Sequence, residues 1–173
     1  MDDDNALEGL IRYGQVASVD LAVGRCVVTA GDIVTQPIRW IELRAGRTRS
    51  WSPPSAGEQI LLLCPGGDPA GAIALRGVSS AAHPPIGDAT RELIEFPDGA
   101  IVAYDATAHA LTAILPAAGT VRIDAPGGIH LVGPLSVDGQ ISATGDVTGK
   151  GVSLATHIHG LVKLGTDKSG KPE

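Results

Sequence analysis

Two histidines one residue apart, His157 and His159, are the side chains of this sequence whose types and spacing best suit metal chemistry. Imidazole is the commonest protein ligand for transition metals, and on an extended strand side chains at i and i+2 project to the same side. Alone the pair is ambiguous, because two strand histidines can equally face solvent. The other reactive groups point to less. Cys26 and Cys64 both fall inside apolar strand patterns and have no histidine nearby in sequence to activate them, so they read as reduced core thiols. His83 precedes two prolines and His109 sits in a turn, which makes both ordinary solvated loop residues. Asp98, Asp105, His109 and the Arg44, Arg47 and Arg49 group form no recognisable triad or carboxylate pair.

What positions the histidine pair is the most regular stretch of the chain. Ile123, Ile129, Leu135, Ile141 and Val147 recur every six residues. Ala125, Leu131, Val137, Ala143 and Gly149 follow two positions later, and Gly127, Gly133, Gly139, Gly145 and Gly151 two after that. Repeats this short predict a β-solenoid or β-helix, each copy laying down one short strand with two side chains inward and glycine at the bend. A single chain can wind such hexads three to a coil, but five copies give fewer than two coils, too few neighbours to bury a continuous core. Three chains can instead intertwine, each supplying one face of a triangular prism, so that every hexad adds one layer. The spacing therefore predicts an obligate homotrimer with a core of Ile123, Ile129, Leu131, Leu135, Val137, Ile141, Ala143 and Val147. The glycines at 127, 133, 139, 145 and 151 take the bends.

A threefold column changes the meaning of the histidines that end it. Turned inward, three His157 and three His159 bring six imidazoles to one axis, where unpaired polar nitrogens would be costly. Six nitrogen ligands suit an octahedral metal such as Fe(II) or Ni(II) rather than tetrahedral Zn(II). With no open coordination position the ion would be structural, tying the chains together at the tip.

The rest of the sequence fits an all-β chain. Gly 23 and Pro 12 among 173 residues favour short strands and frequent turns, and only 3% of residues are aromatic, so the core must be aliphatic. Residues 1–12 suggest a short helix, with Asn5 and Glu8 at capping-box spacing and Leu7, Leu10 and Ile11 on one face. Over 13–78, five strands are expected at Gln15–Asp20, Arg25–Thr29, Gln36–Leu43, Glu58–Cys64 and Ala70–Gly77. Five short strands in that length suit a small closed barrel of the OB-fold type. Residues 79–92 form a polar, proline-containing linker. Residues 93–159 then hold a hairpin turning at Pro97-Asp98-Gly99, a further strand Leu111–Leu115 and the β-helix, and 160–173 a polar cap around the tip. The formal charge of −6 argues against a general nucleic-acid binder. No apolar run approaches a membrane span. The start Met1-Asp2-Asp3-Asp4 is no secretory signal, so synthesis in the cytoplasm is expected.

Several stretches together resemble one known family, the phage baseplate assembly protein V or central spike of contractile tails and tail-derived bacteriocins. They are Gly14-Gln15-Val16 with Val19-Asp20; Arg44-Ala45-Gly46 through Trp51-Ser52-Pro53-Pro54 to Gly57-Glu58-Gln59; and Cys64-Pro65-Gly66-Gly67-Asp68. Phe96-Pro97-Asp98-Gly99-Ala100 with Tyr104-Asp105, Thr156-His157-Ile158-His159-Gly160 and Ser169-Gly170-Lys171-Pro172 complete the set in the family's order. The resemblance implies an N-terminal OB-fold and a trimeric intertwined β-helix needle. It also implies one iron ion per trimer, held by His157 and His159 of each chain. It places the protein at the tip of a virion or bacteriocin-like tail, beneath the hub, where it pierces the target cell's outer membrane when the sheath contracts. Buried ions along the axis besides the tip metal are not legible in the sequence. Two rival readings remain: a hexapeptide-repeat acyltransferase, and an OB-fold module stacking single-stranded nucleic acid on Trp51 beside Arg44, Arg47 and Arg49. For that loop, contact with a neighbouring subunit or hub protein fits the acidic, aromatic-poor chain better.

Overall fold

The computed structural model describes residues 9–158, which divide into two compact units meeting in sequence at Gly119 and Thr120. Most of the expected N-terminal helix, His159 and the cap at 160–173 lie outside the described residues. The chain is all-β: β1 (Ile11–Asp20), β2 (Arg25–Ala30), β3 (Ile33–Val34), β4 (Arg39–Trp40), β5 (Gln59–Leu63) and β6 (Ile73–Leu75) form one sheet. A meander of β7 (Arg91–Glu95), β8 (Ile101–Asp105) and β9 (Ala110–Ile114) follows, then a small hairpin of β10 (Thr148–Gly149) and β11 (Val152–Ser153).

The six-stranded sheet runs in the order β3-β2-β1-β5-β6-β4 and curls back on itself. Its last strand returns to β2, where Cys26 and Ile38 exchange backbone hydrogen bonds of 3.0 and 2.8 Å. Alternation along β2 and β5 sends Cys26, Val28, Ala30, Ile60 and Leu62 inward. They pack with Val16, Ile38, Cys64, Ala72 and Ala74 into a small aliphatic core, as the scarcity of aromatics requires. Both cysteines are buried and unpaired, and burial pushes each thiol above its ordinary pKa. They are inert core residues.

Two departures from the expected strands have local causes. β1 starts at Ile11, and the Cys64 amide donates to the Leu10 carbonyl at 2.8 Å, so the strand ladder takes residues assigned to helix. The long strand expected at Gln36–Leu43 shrinks to Arg39–Trp40. Pro37 has no N–H to give a ladder, and beyond Trp40 the chain bends around Glu42. That carboxylate accepts from Trp40 Nε1 (2.7 Å), Ser50 Oγ (2.8 Å) and the Ser52 amide (3.0 Å), with Arg76 at 3.5 Å. Arg76 also donates to the carbonyls of Ile41 and Ser52. Glu42 thus staples the 42–52 loop to the barrel, and Trp40 and Trp51 pack at 5.5 Å between centroids beside it. Hydrogen bonds to a largely buried charge are worth more than neutral ones, so Glu42→Ala should cost about 2 kcal/mol in urea unfolding.

Those same bonds, the Ser52 amide first, hold the Glu42 carboxyl below its ordinary pKa of 4.5. A depressed carboxylate stabilises the fold above its unfolded pKa. The contribution should therefore be complete above about pH 5 and fade as pH falls through the lowered value. In Glu42→Ala this part of the acid sensitivity should vanish.

Gly14 marks the tightest crossing in the sheet. A Cβ there would lie 2.6 Å from Val28 Cγ1 and 3.1 Å from the Thr29 carbonyl oxygen. Because overpacking forces side chains and backbone to shift, Gly14→Ala should lower stability by about 1–3 kcal/mol in the same assay.

Past the barrel, Asp88 fastens the start of the meander. Its carboxylate takes the Arg91 guanidinium at 2.7 Å and the amides of Thr90 and Arg91, Arg91 being the largest cause of a pKa lowered to about 2. The β7–β8 turn is the expected one at Pro97-Asp98-Gly99: Gly99 has φ 83°, and Asp98 accepts from the Ala100 amide at 3.0 Å. Ile94, Val102, Tyr104 and Leu111 lie on one face of the meander and remain exposed.

Candidate functional site

The second unit contains the hexads, and there the apolar repeat has no cover of its own. Ile123, Ile129, Leu131, Leu135 and Ile141 are each more than half exposed, at 67, 58, 67, 71 and 69%. Val137, Ala143 and Val147 are exposed as well. No strand is formed between β9 and β10. A single-chain coil would turn these side chains into its own interior; here they stay exposed at six-residue intervals in the sequence. Gly133, Gly139 and Gly151 take φ of 121, 147 and 80°, a region that favours glycine. Gly127 and Gly145 do not. At the first of these bends Gly128 takes the positive φ instead, and its amide donates to the Ala125 carbonyl at 2.8 Å.

Ahead of His157 the chain forms a short hairpin and does not continue as one strand up to the histidine. Thr148 pairs with Ser153 and Gly149 with Val152 across a two-residue turn, Lys150 (φ 50°) and Gly151 (φ 80°). Positive φ at both central residues is the turn that matches strand twist. The Leu154 amide then reaches the Val147 carbonyl at 2.9 Å. Asp146 crosses the base of this hairpin, accepting from the Ala155 amide at 3.1 Å and from Thr148 Oγ1 at 3.4 Å. The Asp146 carboxyl is held below its ordinary pKa, the nearby Ser153 side chain being the largest cause and the Ala155 amide the next.

After Ser153 the chain turns instead of extending. Ser153 Oγ accepts from the Thr156 amide (2.9 Å) and Thr156 Oγ1 (2.8 Å), and the Ser153 carbonyl accepts from the His157 amide at 3.2 Å. Such local side-chain bonds compete with strand pairing, which is why the strand stops at Ser153. The same carbonyl lies 2.9 Å from His157 Nδ1. A carbonyl oxygen can only accept, so Nδ1 carries the proton, and in the neutral ring the lone pair falls on Nε2. Metal-ligating histidines are commonly held in this way by a carbonyl on the far nitrogen. The described histidine of the His-x-His pair is thus held through its Nδ1 by the Ser153 carbonyl. Among the described residues no three His, Cys, Asp or Glu side chains of one chain converge. Asp146 and Ser153 escaped the sequence reading because both look like ordinary polar positions of a hexad.

Residues 12–78 match the family described as the type VI secretion system/phage-baseplate injector OB domain. Over 128 residues, 70% of its length, the chain is 40% identical to the spike protein of Escherichia phage P2, and it spans 61% of that protein. The barrel found over Ile11–Leu75 coincides with the matched domain. The chain belongs to the phage baseplate central-spike family, and its first unit carries the injector OB domain of that family.

Proposed function

We propose that this chain is the trimeric central spike of a contractile tail, a needle that pierces the target cell's outer membrane mechanically. The observation that carries the reading is the uncovered apolar row at six-residue spacing in the second unit. Left in water, that row loses the burial that drives folding, about 25 cal/mol per Å². Three copies that intertwine bury it along a common axis, with Ile123, Ile129, Leu135, Ile141 and Val147 forming successive layers. Such a needle transmits axial force because every layer is bonded to its neighbours by three chains, and it gives way only when all three separate.

At the tip, His157 and His159 of three chains would supply six imidazole nitrogens to one ion, iron on the family resemblance. When bound, the ion cross-links the three chains at the point of greatest load. The chain's own residues fold the hairpin, turn His157 and fix its tautomer. The OB barrel would seat the needle on the tail hub and baseplate, making the protein a component of the phage tail or of a related bacteriocin particle. The reading assigns it no enzymatic activity and no nucleic-acid ligand. The acyltransferase alternative needs a single-chain coil, and the exposed hexads count against one. Solution mass with elemental analysis tests the proposal: trimers holding one metal per three chains support it, and a metal-free monomer would defeat it.

A further inference from the structure

We infer that the arginine loop around Arg44, Arg47 and Arg49 of one copy docks on the acidic edge strand β7 of the next copy, an ionic contact that closes a ring around the threefold axis. The inference rests on the trimer reading given above. Between Leu43 and Trp51 the loop carries these three arginines and no carboxylate. All three are exposed, and among the described residues none is in an ion pair. The loop has a defined shape: Ala45 pairs with Arg49, the Ser50 amide donates to the Arg44 carbonyl at 3.0 Å, and the Arg44 amide donates to Ser50 Oγ at 3.1 Å. Glu42 and Arg76 hold its base. A loop shaped in advance loses little freedom on docking.

Its complement lies in the meander. Residues 88–98 hold Asp88, Glu92, Glu95 and Asp98 against one arginine, Arg91, which Asp88 already takes. Glu92 and Glu95 stand exposed on β7, an outer strand of its sheet, and neither is in an ion pair among the described residues. Arg76, just past β6, donates to the Ile41 carbonyl, and Leu43, Ser52, Arg76 and Gly77 line one cleft. The basic loop therefore sits where the chain leaves the barrel for the meander. One chain leaves both charged surfaces unpaired, whereas a ring of three pairs both, each loop meeting the next copy's strand in a heterologous contact that closes. Complementary charge fixes register more than it adds affinity. The hexads cannot fix it alone, because their layers are nearly alike and a slip of one layer still buries apolar side chains. Single-stranded nucleic acid is the weaker occupant, since the acidic chain repels a polyanion.

The test is a charge swap in the full-length protein: Arg47→Glu with Arg49→Glu, Glu92→Arg with Glu95→Arg, and all four together. At low salt each reversal should lower the unfolding temperature of the trimer by about 2–4 °C. Roughly 0.5 M NaCl should erase the difference, and the fourfold variant should recover. Loop-reversed and strand-reversed chains expressed together should co-assemble in excess over random assortment, which pairing within one chain would not produce. If the reversed loop fails to fold, Arg47→Gln with Arg49→Gln should give a smaller shift with the same salt dependence. Wild-type unfolding of an assembled loop-reversed trimer at low salt would overturn the contact while leaving the trimer intact, as would recovery of the fourfold variant with random assortment. A labelled oligothymidylate bound by wild type and not by the loop-reversed variant would assign the loop to nucleic acid instead. A wild-type monomer would remove the trimer reading and the contact with it.

Discussion

Leu135→Asp should abolish the trimer while leaving the OB barrel folded. Leu135 stands in the third of the five hexads and is 71% exposed in the single chain, so the isolated subunit tolerates a carboxylate there. On a threefold axis the same change places three carboxylates in one layer with no cation to pair them. Ionised groups buried without partners are among the costliest changes a core can suffer. The milder Leu135→Ala removes packing only, at about 2–5 kcal/mol for each buried side chain, felt three times per trimer. The expected series is a trimer for wild type, a trimer of lower unfolding temperature for Leu135→Ala, and monomer for Leu135→Asp. Light scattering and thermal unfolding read it. A single-chain solenoid would respond differently, losing stability at unchanged mass.

The paired change His157→Ala, His159→Ala should remove the metal and shorten the lifetime of the assembled tip. A ligand that binds only the native trimer stabilises it by about 4 kcal/mol at a thousandfold excess over its Kd. The double variant should therefore contain no stoichiometric metal and unfold at lower temperature. It should still be trimeric, because the hexad rows remain. Chelation of wild type should reproduce the effect, and chelation of the variant should change nothing. Unchanged metal content in the variant would place the ion elsewhere.

The barrel was largely legible in the sequence, because burial on one face writes itself as alternation. Cys26 and Val28 in β2, and Ile60 and Leu62 in β5, sit inward as their period-two spacing requires. The Pro97-Asp98-Gly99 turn was legible for a different reason: it needs a positive φ at Gly99, which few residues accept. The beginning of β1 was not. Leu7, Leu10 and Ile11 satisfy helical spacing, but Leu10 and Ile11 are captured by the ladder to Cys64 and Leu63, a partner more than fifty residues away. Glu42 left no signal either. Between Ile41 and Leu43 it looks like an outward strand residue, and its role depends on Trp40, Ser50, Ser52 and Arg76 meeting around it.

The candidate site divides in the same way. The hexad period and the His-x-His pair were visible because a repeat is a property of the sequence itself. The turn at Ser153 was not, because it comes from hydrogen bonds three to nine residues apart that leave no signature in the six-residue spacing. The hydrogen bonds of the hexad strands belong, on this account, to other copies, so the fold of one chain does not contain them.

The most direct test is the mass of the full-length protein in solution, measured together with its metal content. The expected mass is three times 17.6 kDa, with one iron, or another metal suited to six imidazoles, for every three chains. A particle of one or two chains, or a trimer whose metal survives loss of both His157 and His159, would contradict it.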